Sequence, residues 1–291
     1  MFHVEQKQEL GLDNDHNDLV IKDFLVSGEE FTLLRNEEHG FLETHPQPKE
    51  GELSKYYESD AYISHTDSKK GLLAFLYQQV KSYSINKKTG LIKKLNGGAG
   101  SLLDIGAGTG DFLRAAKDRG WNISGVEPSE KAREIASEKK IQLKESIDEM
   151  SSEKFDVVTL WHVLEHLPNL EDSIQKIESL VADGGTLIIA VPNFNSRDAI
   201  HYKNFWAAYD VPRHLWHFSQ SSIRSVFSSE LKLVKTKPMI FDAFYVSLLS
   251  EKYKTGKGFS LHAFWIGFRS NLAAMKSKEY SSLIYCFKKT K

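Results

Sequence analysis

Nine residues constrain this chain more than any others: Leu102 to Gly110, LLDIGAGTG. A short apolar run enters, glycines fall at 106, 108 and 110, and a helix-forming stretch leaves. Glycine has no Cβ, so its backbone can turn tightly and lie against a ligand. The helix that follows offers unpaired N–H groups to a ligand's polar atoms. The next apolar run ends in Glu127, roughly 20 residues after Gly106, where a carboxylate can accept both hydroxyls of a ribose.

The pattern around that turn alternates strand and helix. Strands are expected at Ser101–Ile105, Asn122–Glu127, Ile141–Lys144 (weak), Phe155–Trp161 and Thr186–Val191. Helices are expected at Asp111–Arg119, closed by Gly120, at Glu130–Lys139, capped by Ser129, and at Leu170–Val181. Such alternation implies parallel crossovers and a doubly wound α/β sheet of Rossmann-like class. Beyond Pro192 come a helix at Ser221–Phe227, a sixth strand at Leu231–Phe241 and a seventh at Ser281–Lys288. A helical insertion spans about 243–275. Residues 1–95 read as an irregular, polar N-terminal extension carrying one helix, Gly71–Ser82; residues 96–291 read as the main domain.

The chain carries 38 Lys and Arg against 39 Asp and Glu, a formal net charge of -1. That balance gives no sign of nucleic acid or of an anionic membrane as a partner. The single cysteine, Cys286, excludes an internal disulfide and suits a reducing, cytoplasmic setting. The polar opening stretch lacks the apolar core of a signal peptide. A monomer or homodimer is expected.

Spacing bears on which nucleoside the turn holds. A pyrophosphate cradle is G-x-G-x-x-G; this turn is G-x-G-x-G, preceded by an acid, Asp104. A phosphate-free nucleoside with a cationic centre fits better, and S-adenosylmethionine is such a cofactor. An NAD(P)-dependent reductase is the competing reading, and an inactive S-adenosylmethionine-binding protein a third.

Four segments together resemble the class I S-adenosylmethionine-dependent methyltransferases: LLDIGAGTGDFL, GVEPS (125–129), FDVVTLWHVLEHL (155–167) and GGTLIIAVPN (184–193). The segment YDVPRHLWHFS (209–219) resembles a bacterial small-molecule subgroup that includes the ubiquinone-biosynthesis O-methyltransferases. The resemblance implies a seven-stranded sheet with the last strand antiparallel. It implies that Asp104, Gly106, Ala107, Gly108 and Gly110 hold the methionine part, that Glu127 binds the ribose and that Pro128 lies against the adenine. Ser146 and Ile147 fall near the adenine amine, and Trp161 and His162 beside the cofactor. Relatives often carry an N-terminal zinc ribbon; here the matching stretch, Asn36 to Phe41, has no cysteine, so it reads as a degenerate ribbon kept for packing or as a partial lid, and no metal is expected.

Methyl transfer depends on alignment of the acceptor, and a hydroxyl acceptor gains from a nearby base. Histidine suits that role at neutral pH. His162 and His166 share a face if a helix starts at Trp161, and His166 and His214 are the candidate bases. Tyr57, Tyr209 and Arg213 are the candidate acceptor contacts, with Tyr62, Phe205 and Trp206 as further aromatic walls. The acceptor is expected to be a small molecule methylated on oxygen.

Overall fold

The computed structural model describes residues 19–49, 51–57, 72–150, 153–258 and 260–290. Its strands are β1 (Leu19–Lys22), β2 (Glu30–Arg35), β3 (Leu42–His45), β4 (Ser101–Ile105), β5 (Asn122–Val126), β6 (Phe155–Trp161), β7 (Val181–Pro192), β8 (Trp216–His217), β9 (Leu231–Pro238) and β10 (Ser282–Lys289). Its α-helices are α1 (Leu72–Asn96), α2 (Asp111–Lys117), α3 (Glu130–Glu138), α4 (Leu170–Leu180), α5 (Arg197–Tyr202), α6 (Ser222–Ser225), α7 (Asp242–Thr255) and α8 (Leu261–Ser277). The chain divides into two compact units.

The larger sheet has the order β5–β4–β6–β7–β10–β9. β4 pairs in parallel with both β5 and β6, and β6 in parallel with β7. β4 is thus interior to the sheet, and its Leu102 and Leu103 are fully buried. A strand covered on both faces needs such a continuous apolar run. β10 runs antiparallel. The Asn193 N–H, just past β7, donates to the Ser281 carbonyl before β10, while Lys288 at the far end of β10 reaches Thr186. β9 meets β10 the same way, through Met239 to Ser282 and Thr290 to Glu230. Among the described residues the sheet has six strands, not the seven expected. The segment Ile141–Lys144 makes a single parallel bridge, Val126 to Lys144. Ile141 is buried, but Gln142 and Lys144 are polar, and four residues at an edge do not sustain a ladder.

This unit comprises the described residues from Leu72 to Ala190, Val226–Thr236 and Ile284–Thr290. Its core joins Leu91, Ile92, Leu102, Leu113, Val157 and Ile188, among others, and takes in the fully buried Cys286. α1 continues through Gly90 to Asn96, well past the Ser82 expected from periodicity. Ser129 caps α3 as expected, its hydroxyl accepting from the Ala132 N–H.

The second unit comprises the described residues up to Tyr57, Val191–Ser225 and Lys237–Leu283. The N-terminal stretch is not irregular: β1, β2 and β3 form an antiparallel meander, and β8 adds a fourth strand beside β3. Strands of four to six residues alternate buried with more exposed positions, so each is too short to stand out as periodic. The turn Asn36–Phe41 joins β2 to β3 and is closed by backbone bonds from Asn36 to Phe41 and Gly40 to Asn36. Ile21, Phe31, Leu33, Tyr202, Trp206 and Tyr209 anchor the core of this unit. The expected insertion is a pair of helices, α7 and α8, and the polar opening stretch and Tyr62 lie outside the described residues.

Candidate active site

β4 delivers the chain into the glycine turn. The Gly106 and Ala107 N–H groups both donate to the Val126 carbonyl at the end of β5, at 2.8 and 2.9 Å. Gly106, Gly108 and Gly110 have φ of 71, 53 and 74°, a region that side chains disfavour. They differ in what surrounds them. A Cβ on Gly106 would collide with Val163, and one on Gly110 would press on Ala136 and Ile141. A Cβ on Gly108 would meet open space. The outer glycines therefore serve packing, and the middle one leaves a bare backbone face.

Glu127 lies just past β5 and is tied back to the turn. One carboxylate oxygen accepts the Gly108 N–H at 2.8 Å; the other accepts the Ser129 N–H at 3.0 Å. Arg133 donates to the Glu127 and Pro128 carbonyls, fixing that corner. Ser146 opens the 3₁₀ turn Ile147–Met150, with its N–H on Glu149 and its hydroxyl accepting from Asp148.

Asp104 is buried, and the Thr159 hydroxyl donates to it at 2.6 Å. Burial pushes its carboxyl up to about 7, with Thr159 and the Lys88 cation opposing and Glu127 adding to the rise. Trp161, at the end of β6, carries the Lys88 ammonium 4.2 Å above its ring and the edge of Phe112 at 5.6 Å. Its indole N–H is buried and has no hydrogen-bond partner among the described residues. Such a donor costs stability until something accepts from it.

His162 has φ 58°, and its N–H donates to the Ala190 carbonyl at 2.9 Å. Its Nδ1 lies 3.3 Å from Glu165, and its side chain is 33% exposed. No α-helix begins at Trp161. Only a 3₁₀ turn, Leu164–His166, follows, so His162 and His166 do not share a helical face as expected. The left-handed backbone at His162 is what breaks the run. His166 is half-buried, its N–H on the Val163 carbonyl.

The other sequence-selected residues lie in the second unit. Arg213 is buried, and its guanidinium donates to Asp23 at 2.9 Å, to Asp210 at 2.7 Å and to the Tyr56 carbonyl at 3.0 Å. Burial opposes its charge, yet Asp210 and Asp23 outweigh that and hold it more firmly protonated. His214 presents Nδ1 to the Ala208 carbonyl at 2.9 Å, so that nitrogen carries the proton. His217 is buried beside the Thr44 hydroxyl, and burial lowers it to about 3. Tyr209 is buried edge-on to Trp206 and His217, and burial raises its hydroxyl. Tyr57 is half-buried.

The structure thus brings Asp104, Gly106, Ala107, Gly108, Gly110 and Glu127 together at the ends of β4 and β5, with Trp161 and His162 at the end of the neighbouring β6. Sequence reasoning missed Lys88, Thr159 and Phe112, which surround Asp104 and Trp161. It also missed Gly125, where a Cβ would collide with Leu113 and Leu143. Thr159 was legible in principle, since parallel register sets it beside Asp104. No spacing rule links Lys88, on a separate helix, to either residue.

A central strand that hands a glycine turn to an acid-tipped neighbour is the construction of Rossmann-like nucleoside-binding proteins. Within that class, a family model described as a methyltransferase domain matches residues 75–230, more than half of the chain. The chain belongs to that family, the class I S-adenosylmethionine-dependent methyltransferases. The ubiquinone biosynthesis O-methyltransferase of Dechloromonas aromatica is 28% identical over 176 residues, covering 55% of this chain and 75% of that protein. An uncharacterized methyltransferase of Staphylococcus carnosus is 31% identical over 125 residues, 40% of this chain and 60% of that one. The chain spans about half the length of further ubiquinone biosynthesis O-methyltransferases that it matches. Among solved structures, a plantazolicin methyltransferase in complex with a triazolic desmethylPZN analog and SAH shares the fold. Its TM-score is 0.51 at 15% identity, over 82% of this chain and 95% of that one.

Proposed function

We propose that this chain binds S-adenosylmethionine over the glycine turn and moves its methyl group to an oxygen of a small-molecule acceptor. The observation that carries the reading is the pairing of Gly108, bare and open, with Glu127. The residues fit the cofactor in two further respects. Asp104 is a buried acid whose ionisation a cation would favour, and the Trp161 N–H is a buried donor with no acceptor among the described residues.

In this reading Asp104, Gly106, Ala107, Gly108 and Gly110 hold the methionine end. Glu127 exchanges the Gly108 N–H for ribose hydroxyls, and Pro128, Ser146 and Ile147 border the adenine. Trp161 and His162 flank the reacting centre. Bound S-adenosylmethionine supplies a methyl group already activated on a sulfonium, so the protein's work is alignment and proton removal. His166 is the first candidate to take the acceptor's proton and His214 the second. Tyr57 and Tyr209 are the proposed acceptor contacts. Arg213 acts through the segment it holds, as a positioning residue, because its donors are committed to Asp23, Asp210 and Tyr56. Oxygen as acceptor atom is supported by the O-methyltransferases among the relatives.

Calorimetry with S-adenosylhomocysteine, NAD and NADP tests the cofactor. Only the first is expected to bind, and Glu127→Ala should weaken it about tenfold or more through lost charge-assisted hydrogen bonds. Equal affinity in the variant, or binding of NADP instead, would overturn the assignment. An acceptor panel read by S-adenosylhomocysteine release tests the chemistry, with His166→Ala expected to lower turnover roughly 100-fold or more if it is the base.

A further inference from the structure

The helix α8 is packed inside out. Its inward positions are small: Ala263, Gly267, Ser270 and Ala274 are buried, with Ile266 beside them. A Cβ on Gly267 would press on the backbone of Ala243 and Phe244, so α7 and α8 meet backbone to backbone. The large apolar side chains point outward. Leu261 is 76% exposed, Met275 64% and Trp265 55%, and Phe264, Phe268 and Leu272 are exposed as well. At a period of 3.6 residues these six positions share a stripe about 100° wide that runs the length of the helix. Trp265 and Phe268 stack on each other at 5.7 Å. Single exposed apolar residues are ordinary, but a continuous stripe of this kind marks a surface that something covers.

Charge says what covers it. From Lys252 to Lys278 the sequence has six cations, Lys252, Lys254, Lys257, Arg269, Lys276 and Lys278, and no Asp or Glu. The acids at either end are engaged elsewhere. Glu251 accepts from the Tyr202 hydroxyl and lies 3.3 Å from His262, and Glu279 accepts from Asn193. Arg269 and Lys276 fall along one flank of the apolar stripe, by the same 3.6-residue period. The chain as a whole has a formal net charge of -1, so this positive field is local.

We propose that the α7–α8 hairpin docks on an anionic lipid surface. The Trp265–Phe268 face would enter the boundary between headgroups and acyl chains, and the surrounding lysines and arginine would meet lipid phosphates. No helix among the described residues is long and apolar enough to cross a membrane, so the hairpin would lie on the surface rather than span it. A second copy of the chain fits less well. Two stripes face to face would bring the two sets of cations together with no acid among them to pair.

The test is vesicle sedimentation of the full chain, with phosphatidylcholine alone and with phosphatidylcholine plus phosphatidylglycerol. Binding is expected only with phosphatidylglycerol, falling several-fold in about 0.5 M salt as charges are screened. Trp265→Ala with Phe268→Ala should lower partitioning about tenfold or more, as expected for two lost apolar anchors. Lys254→Gln with Lys257→Gln, which leaves the stripe intact, should lower it several-fold. Unchanged circular dichroism and S-adenosylhomocysteine affinity would show that these exposed positions were altered without unfolding. Absence of binding to anionic vesicles would overturn the proposal. So would a dimer in light scattering that Trp265→Ala dissolves, which would assign the stripe to a second copy. The proposal stands apart from the methyl-transfer reading, since neither result depends on activity.

Discussion

Burial raises the Asp104 carboxyl from its ordinary 3.8 to about 7. Between those values the folded chain keeps a proton that the unfolded chain releases. The contribution of Asp104 is therefore fully present below pH 3.8 and is lost as pH rises to about 7, at roughly 1.4 kcal/mol per unit. Urea midpoints of the ligand-free protein should show less loss between pH 5 and pH 8 in Asp104→Asn than in the parent. A cation favours the ionised form, so S-adenosylmethionine affinity should rise through neutral pH with release of a proton, measurable by calorimetry in buffers of different ionisation enthalpy. The glycines divide by role in the same way. Gly106→Ala should cost about 2–3 kcal/mol by steric conflict with Val163 and its positive φ. Gly108→Ala should cost about 1–2 kcal/mol from its φ alone, yet weaken the cofactor at least as much. Thermal unfolding and calorimetry together separate the two. All three glycines looked alike in the sequence, because the difference lies in Val163 and Ile141, brought there by other parts of the chain.

At the level of elements, β4, β5, β6 and α3 were legible because their apolar runs and caps are local. β1, β2 and β3 were not, because short half-buried strands acquire their pattern only once paired. β8 has two residues and exists because β3 lies beside it. The Arg213 knot is the extreme case. It links Asp23, in the turn after β1, to a guanidinium 190 positions later, and nothing near either residue announces the other. YDVPRHLWHFS drew attention to Arg213 as a ligand contact, whereas its donors close a structural ion pair. Arg213→Ala should therefore cost about 3–5 kcal/mol by leaving Asp23 buried and unpaired, with the midpoint falling whether or not ligand is present. Asp23→Asn with Arg213→Met should recover much of that loss. Asp23 has a lowered carboxyl, burial being outweighed by Arg213 and the Ser27 and Leu25 N–H groups. Its contribution is present above the ordinary carboxylate range and fades as pH falls below it.

For the whole molecule, a formal net charge of -1 and a sequence pI of about 6.8 predict least solubility near neutral pH, where mutual repulsion vanishes. Light scattering across about pH 5.5–8.5 should show association peaking near pH 7. The same average hid the cationic hairpin. Summed charge reports nothing about a segment of 27 residues in which all the Lys and Arg go unanswered by acid. The alternation of strands and helices exposed the parallel sheet, while the second unit stayed unread because its parts are scattered along the sequence.

That scattering has a consequence for how the protein is made. The unit containing β1, β2 and β3 is completed by α5, β8, α7 and α8, which leave the ribosome only after the whole parallel sheet has been synthesised. Its earliest strands wait, with β3 lacking its β8 partner, through most of translation. Such late-closing, non-local pairings form slowly and leave strand edges open to misassembly in the meantime. Nascent chains arrested before Trp216 should accordingly be captured by chaperones and cut by protease between Leu19 and His45, and chains released after Lys289 should not.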